Sequence, residues 1–265
     1  MATFESGGAT LHYEEAGVGP ALVFTHGAAL DGRMWREQVE RFADRYRVVA
    51  WDVRGHGRST LPDGPVDPAD YSADLVALLD RLGLRSAALC GLSMGGHISL
   101  QAAIRYPERV AALALIGTPC SNSFNWFERT CVPINRWWME HLPINLSARM
   151  MADSLLASPN AEAKAYLYEA MSSIPRERFG RLWRATTSME SRDRLGEVAC
   201  PTLIMIGDKD KLTGRQQAFM RERIAGSRMV VIPGAGHATN LDNGAAVNAE
   251  LDAFLSASYP GADRA

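Results

Sequence analysis

The sequence has few cysteines, and their spacing forms no known pattern. Only four occur among 265 residues, at Cys90, Cys120, Cys131 and Cys200, without a CxxC or a Cys/His grouping. A chain of this length can build a core without disulfides, and small buried cysteines behave as hydrophobic residues. We therefore expect neither a disulfide framework nor a metal site.

The sequence also lacks an excess of charge of one sign and any long apolar run. Its 28 basic and 30 acidic residues leave a formal charge of -2, too little to attract nucleic acid or anionic lipid. No run approaches the roughly 20 apolar residues that span a bilayer, and MATFESGGATLHYEE at the start does not resemble a signal peptide. We expect a cytoplasmic protein whose partner is a small molecule, neither nucleic acid nor a membrane. The sequence does not indicate an oligomeric state.

What the sequence does contain is an alternation of strand-like and helix-like segments. Short β-rich runs occur at 11–15, 21–25, 47–51, 86–90, 111–116, 202–206 and 229–232. Helical patterns lie at 69–82, 94–106, 214–225 and 242–257. Several strands are apolar without alternation, which is typical of strands covered on both faces. The pattern predicts an α/β fold with a mostly parallel sheet flanked by helices, in which the first strands can be antiparallel.

One segment interrupts this alternation. Residues 121–190 contain no strand-like run, and their helices are expected to be joined by prolines, namely Pro133, Pro143, Pro159 and Pro175. We predict a helical cap insertion here, over the carboxyl edge of the sheet where open α/β sheets bind ligands. The core is then 1–120 together with 191–265. The last residues, 260–265, are expected to fray.

The cap insertion holds four of the six tryptophans of the chain. This is more than a thin helical layer needs for its own packing, so we expect an apolar substrate pocket beneath it. The candidate substrate-binding residues are Trp126, Trp137, Trp138, Trp183 and Met189. The alternative is that they form only the small core of the cap itself.

The heptapeptide CGLSMGG at 90–96 places Ser93 among three glycines. It follows a predicted strand and opens a predicted helix, the setting in which the serine of G-x-S-x-G lies at the tip of a strained turn. Gly91 and Gly95 avoid side chains where strand and helix nearly touch, and Gly96 lets the helix lie close to the sheet. The alternative is a glycine-rich turn with an incidental serine.

A serine hydroxyl needs a base, and the base usually needs a carboxylate that orients it. His237 lies in the loop GAGHATN, after the last predicted strand. Asp208 and Asp210 follow the strand TLIMI, again at a carboxyl edge. The remaining histidines lie in a strand, turns, a helix and the insertion, and we interpret them as structural or solvated: His12, His26, His56, His97 and His141.

Together these motifs resemble the α/β-hydrolase superfamily. The matching segments are HGAA at 26–29, DVRGHGRS at 52–59, GLSMGG at 91–96, GDKD at 207–210 and GAGH at 234–237. Among subgroups, the sequence looks most like 3-oxoadipate enol-lactonases and the related cofactor-free haloperoxidases and esterases. The resemblance implies a serine hydrolase of the carboxylesterase or lactonase type.

The resemblance also assigns roles, because the family places its residues in the order Ser, Asp, His. Ser93 is then the nucleophile, Asp210 the acid and His237 the base. Asp208 is interpreted as a turn residue, and Asp52 as a turn support rather than a rival acid. The backbone N–H groups of Ala28 and Met94 would form the oxyanion hole, with His26 fixing the Ala28 loop. A reaction on this triad and oxyanion hole needs no metal and no cofactor.

Two other functions remain open at this stage. Carbon–carbon bond hydrolysis or perhydrolysis could use the same triad. A ligand-binding protein with a vestigial site is the third alternative, which the complete triad disfavours.

Overall fold

The computed structural model describes residues 2–259, and within them one eight-stranded sheet carries helices on both faces. The strands are β1 Ala2–Ser6, β2 Ala9–Ala16, β3 Ala21–Thr25, β4 Arg47–Trp51, β5 Ala87–Leu92, β6 Val110–Ile116, β7 Thr202–Gly207 and β8 Arg228–Ile232. The core helices are α1 Arg36–Phe42, α2 Pro68–Arg81, α3 Met94–Arg105, α8 Gly214–Arg223, α9 Thr239–Asp242 and α10 Gly244–Ser258. The predicted fraying at 260–265 lies outside the described residues.

The strands lie in the order β1-β2-β4-β3-β5-β6-β7-β8. Strand β2 is antiparallel to both β1 and β4, and the remaining pairs are parallel. This confirms the predicted mostly parallel sheet with an antiparallel start. Strand β1 was not predicted, because Phe4 is its only buried residue and the strand is recognisable only through its pairing with β2.

Both faces of the central strands are buried, as their unbroken apolar sequences predict. In β3, Leu22 and Phe24 belong to one core cluster while Val23 belongs to the other. Successive side chains of a strand point to opposite faces, so one short apolar strand supplies both cores. Helices α1 and α10 close the first core, and α2 and α3 close the second.

The segment between β6 and β7 is helical, with α4 Trp126–His141, α5 Ile144–Leu155, α6 Ala161–Ser172 and α7 Arg176–Thr186. Its two ends meet in an antiparallel bridge between Ser121 and Glu190. Three of the four prolines lie at or between helix ends as expected. The expectation for Pro133 is wrong, because it lies inside α4. In the described part of the chain, none of the helices has the length and apolar content needed to cross a membrane.

Backbone contacts around the turn before α3 leave no room for side chains. A Cβ at Gly95 would lie 2.1 Å from the carbonyl oxygen of Thr25, and one at Gly91 would lie 2.4 Å from the backbone of Gly95. Real Cβ atoms do not approach backbone so closely. The start of α3 is therefore held against both its own strand and the loop after β3.

Gly95→Ala is expected to lower the free energy of unfolding by about 3 kcal/mol or more, because backbone on both sides of the turn would have to shift. Gly196→Ala is the matched control, since a Cβ there meets no atom within 4 Å. It should change stability by less than about 1 kcal/mol. Urea unfolding monitored by circular dichroism measures both variants, and equal midpoints would contradict the close-contact argument.

Candidate active site

Ser93 lies at the tip of the turn between β5 and α3, in a backbone conformation that non-glycine residues rarely adopt. Its φ is 54° and its ψ is -115°. The strain is maintained because the Ser93 N–H donates to the Ile116 carbonyl at 2.9 Å and the Ser93 carbonyl accepts from the His97 N–H at 3.0 Å. Strained residues of this kind cluster at functional sites. The side chain is partly exposed at the carboxyl edge of the sheet.

His237 and Asp210 come together at the same edge. The imidazole Nδ1 lies 2.9 Å from Asp210 Oδ2, and the side chain of Asp210 is fully buried. An ionised carboxylate only accepts hydrogen bonds, so Nδ1 carries the proton and Nε2 keeps its lone pair. This is the tautomer that a general base requires.

Asp210 is held as a carboxylate by several donors. Its Oδ1 accepts from the Leu212 N–H at 2.7 Å, and its Oδ2 accepts from the Thr213 hydroxyl at 2.9 Å. Burial alone would raise the pKa of Asp210, but the hydrogen bond from His237 and these donors hold that pKa below its usual value. The charge that orients the imidazole is therefore retained.

Gly117 connects the serine turn to this pair. It follows Ile116, which binds the Ser93 N–H, and a Cβ on Gly117 would lie 3.2 Å from both Asp210 Oδ2 and His237 Nδ1. The peptide unit between Ile116 and Gly117 thus lies between the serine turn and the pair of Asp210 and His237. Across residues 2–259, neither Ser93 Oγ nor His237 Nε2 has a hydrogen-bond partner. The bond between the two atoms stays a prediction, and in free enzymes such bonds are often long.

The loop after β3 is fixed by His26. The Val53 N–H donates to His26 Nε2 at 2.9 Å, so the proton lies on Nδ1, which donates to the Gly27 carbonyl at 2.7 Å. The Leu30 N–H donates to the same carbonyl. Because a peptide bond is trans, the N–H of Ala28 points away from these donors. His26 is therefore engaged on both nitrogens and is a turn-fixing residue, as expected.

Both candidate oxyanion donors are available in the described structure. Ala28 is partly exposed, and its N–H donates to no partner among residues 2–259. Met94 is the first residue of α3, where the N–H has no carbonyl one turn back to bind. The two segments touch, since a Cβ on Gly27 would lie 3.0 Å from the side chain of Leu92. Their joint role in binding an oxyanion stays a prediction.

Asp52 supports a turn, and the geometry does not place it on a base. Its Oδ1 accepts from the Gly32 N–H at 2.8 Å and its Oδ2 from the Arg58 N–H at 2.9 Å. His12 Nδ1 lies 3.7 Å from Oδ2, which is too long for a hydrogen bond, and its ring is buried. Asp208 likewise accepts from a turn, at the Ala235 N–H.

The sequence analysis missed one structural carboxylate next to the histidine loop. Asp242 accepts from the N–H of Gly236 at 2.7 Å, of Ala157 at 2.8 Å and of Ser158 at 3.0 Å. It thereby joins the loop before His237 to the connection between α5 and α6. Its position at the start of a helical pattern gave no sign of this, because two of the three partner amides are about 85 residues away in the chain.

The cap residues selected from the sequence do not share one environment. Trp126, Trp137 and Trp138 are exposed, which does not fit an enclosed apolar pocket. Met189 is buried within the second core cluster. Trp183 is partly buried, packs against the first core cluster and donates from Nε1 to Asn135 at 2.8 Å. Of the five, Trp183 best fits a position beneath the cap.

Helix α7 connects the cap to the serine turn. Thr186 Oγ1 lies 3.2 Å from the sulfur of Met94, and the side chain of Leu182 fills the space over Gly55. In the part of the chain that the structure describes, no three His, Cys, Asp or Glu side chains are grouped to hold a metal ion.

Comparison with known proteins places these features in a family. Residues 22–250 match the alpha/beta hydrolase family. The chain belongs to that family. It is 28 % identical over 240 residues to 3-oxoadipate enol-lactonase 2 of Acinetobacter baylyi, covering 89 % of this chain and 88 % of the relative. It is 29 % identical over 248 residues to a pimeloyl–acyl-carrier-protein methyl ester esterase of Nitrosomonas europaea, covering 87 % and 93 %.

A solved relative has the same architecture as this alpha/beta hydrolase. The enol-lactonase from Burkholderia xenovorans LB400 superimposes with a TM-score of 0.86 at 25 % identity, covering 96 % of this chain and all of that one (100 %). The predicted fold and the predicted resemblance to enol-lactonases are confirmed. The protein is a hydrolase.

Three buried histidines around the site are neutral in the folded protein. Burial lowers the pKa of His97 to about 3; burial, followed by the neighbouring His26, lowers that of His56 to about 3. Burial also lowers the pKa of His26. Unfolded histidines take up protons near pH 6.5, so acid favours the unfolded chain. Stability is therefore lost as the pH falls from about 6.5 toward the folded pKa values.

His97→Gln is expected to make unfolding less sensitive to acid. Each buried neutral histidine contributes a slope of about 1.4 kcal/mol per pH unit below about pH 6, and the variant should lose one such contribution. Urea unfolding between pH 6 and pH 4.5 measures the slope. His141→Gln, at an exposed histidine, is the control that keeps it. A wild-type slope in His97→Gln would show that His97 is not buried as a neutral ring.

Proposed function

We propose that this hydrolase is a serine hydrolase that cleaves a carboxylic ester or lactone of a small to medium, largely apolar substrate. The observation that carries the proposal is the hydrogen bond of 2.9 Å between His237 Nδ1 and buried Asp210, one peptide unit from the strained turn of Ser93. A free Nε2, an oriented imidazole and an exposed hydroxyl are what nucleophilic acyl transfer needs.

In the proposed reaction, Ser93 Oγ attacks the carbonyl carbon while His237 Nε2 accepts the hydroxyl proton. The carbonyl oxygen becomes an oxyanion, which the N–H groups of Ala28 and Met94 bind. The imidazolium then gives its proton to the leaving alkoxide, and an acyl-serine remains. Water, deprotonated by the same imidazole, attacks the acyl carbon. The imidazolium then returns the proton to Ser93 Oγ as the bond between the acyl carbon and Oγ breaks, which releases the acid and free Ser93.

The cap supports the choice of a largely apolar substrate. Partly buried side chains of the insertion pack against the first core cluster, among them Met139, Met151, Tyr166 and Trp183. We propose that residues 121–190 act as the cap that shapes the pocket, with Trp183 as its best candidate contact. The lactonase and methyl ester esterase relatives are named for ester-type substrates, which agrees with this reaction class.

A fluorophosphonate probe is expected to label the protein stoichiometrically at Ser93, because the activated hydroxyl attacks phosphorus as it attacks a carbonyl. Intact-mass and peptide mass spectrometry locate the adduct. Ser93→Ala should abolish labelling, while Ser154→Ala, at an exposed serine of α5, should leave it unchanged. A wild-type protein that resists the probe would support the ligand-binding alternative instead.

Asp210→Asn is expected to lower kcat on p-nitrophenyl butyrate by about 10³-fold or more, because the amide cannot hold His237 in the required tautomer. Asp208→Asn, two residues earlier and bound to the Ala235 N–H and to Lys209, should stay within about threefold of wild type. Steady-state kinetics on graded esters, lactones and dienoate diketones measure both variants and the substrate class. Turnover of the diketones alone would favour carbon–carbon hydrolysis, and equal losses in the two variants would remove the assignment of Asp210.

A further inference from the structure

Helix α4 packs on the rest of segment 121–190 through a mixed side and leaves its aromatic residues exposed. Trp183 Nε1 donates to Asn135, Arg136 Nε donates to Thr187 at 2.7 Å, and Arg184 donates to Glu140 at 2.6 Å. Met139 packs against the first core cluster. Not one residue of α4 is buried. A surface helix ordinarily packs with its most apolar side, so a run of exposed aromatic residues on the other side is unusual.

The opposite side of α4 is a largely apolar surface, with the exposed Thr130 among its aromatic residues. We define the aromatic face as Trp126, Phe127, Ile134, Trp137 and Trp138, whose exposed fractions are 78, 60, 55, 58 and 51 %. At 100° per residue these positions fall within about one third of the helix circumference. The rings pack on each other, with Trp126 against Phe127 and Trp137 against both Trp138 and His141.

The aromatic face lies at the upper end of what a monomer ordinarily exposes. With about 150–250 Å² for each large side chain, the exposed fractions amount to roughly 450–750 Å² of surface. The largest apolar patch of a typical monomer is about 300–600 Å² and is often functional. Two such faces brought together would bury about 900–1,500 Å², which reaches the range of specific interfaces.

We propose that the aromatic face of α4 docks on the same face of a second copy of this chain, forming a two-fold dimer through the caps. Such an interface is self-complementary, so each copy supplies the apolar partner that the other needs. Homodimer interfaces are also the more apolar class, and tryptophan is enriched at their centres.

The charges of α4 favour a second copy over a lipid surface. The helix carries Glu128, Arg129, Arg136 and Glu140, which cancel formally. Interfacial membrane helices typically present a polar side rich in Lys and Arg to the head groups, whereas here Arg136 and Glu140 are engaged with α7. A neutral apolar face meets its own copy without net charge repulsion.

Sedimentation velocity over a dilution series tests the dimer on the full chain. Wild type is expected to sediment at twice the chain mass of 28.9 kDa at micromolar concentrations. Trp137→Glu should weaken association by about 100-fold or more, since the change places two charges in the buried centre of a symmetric interface. Trp137→Lys should do the same, which excludes an effect of charge sign. Val18→Glu, at a side chain 83 % exposed outside the cap, is the matched control that keeps the dimer.

Tryptophan emission supplies a second measurement. Dilution of wild type should shift the emission to longer wavelength as the three indoles of the aromatic face enter water, and Trp137→Glu should show no dilution effect. Circular dichroism confirms that the variants are folded. A wild-type monomer up to about 100 μM, or a dimer that persists in both Trp137 variants, would overturn the proposal. So would a monomeric protein whose binding to phosphatidylcholine vesicles is lost in Trp137→Glu, because the face would then serve a lipid surface.

Discussion

The contact on which the site depends is the approach of the α3 backbone to the strand before it and the loop after β3. The space for a Cβ at Gly91 and Gly95 is occupied by other backbone atoms, so the chain can turn from strand to helix only through a very tight bend. That bend forces positive φ on Ser93 and leaves its side chain partly exposed at the sheet edge. It also brings the loop of the candidate oxyanion donor against the start of α3.

Around this bend, buried polar groups hold loops that are distant in the chain. His26 uses both ring nitrogens to fix the loop before Ala28, and Asp52 receives two backbone amides from different turns. Asp242 does the same for the loop before His237 and the connection between α5 and α6. Each group is satisfied by backbone N–H or carbonyl partners, which stabilises one loop geometry at little cost in unpaired polar atoms. By contrast, the two atoms proposed to react, Ser93 Oγ and His237 Nε2, have no hydrogen-bond partner within residues 2–259.

The helical segment 121–190, proposed as a cap, packs differently from the rest of the described chain. Its inner side combines half-buried apolar residues with hydrogen bonds between helices, and α4 presents its aromatic residues outward. A helix with this orientation is understandable if its polar side has partners in α7 and its apolar side has a partner outside the monomer. The cap would then serve both as the cover of the pocket and as the surface of assembly.

Local patterns sufficed for much of the fold, whereas the choice of Asp210 as the partner of His237 came from the family resemblance. The unbroken apolar strands and the glycine spacing around Ser93 are visible within a few residues of sequence. The three loops follow strand ends that share one edge of the sheet, so their order could be matched to the family. The edge strand β1, the position of Pro133 inside α4 and the bridging role of Asp242 were not predicted. Strand β1 pairs with the adjacent β2 but has a single buried residue, so its pattern is weak. The helix around Pro133 depends on the balance of the whole segment, and two of the amides that Asp242 binds are about 85 residues away.

The tryptophans of the cap mark the limit most clearly. Their number in residues 121–190 led to the prediction of an apolar pocket, but the sequence by itself determined only that apolar side chains are concentrated there. The tertiary structure decided that three of them face outward, since α4 packs inward through the contacts of Met139, Arg136 and Glu140. Hydrophobic periodicity defines the two sides of a helix, but the contacts with neighbouring helices choose which side is buried.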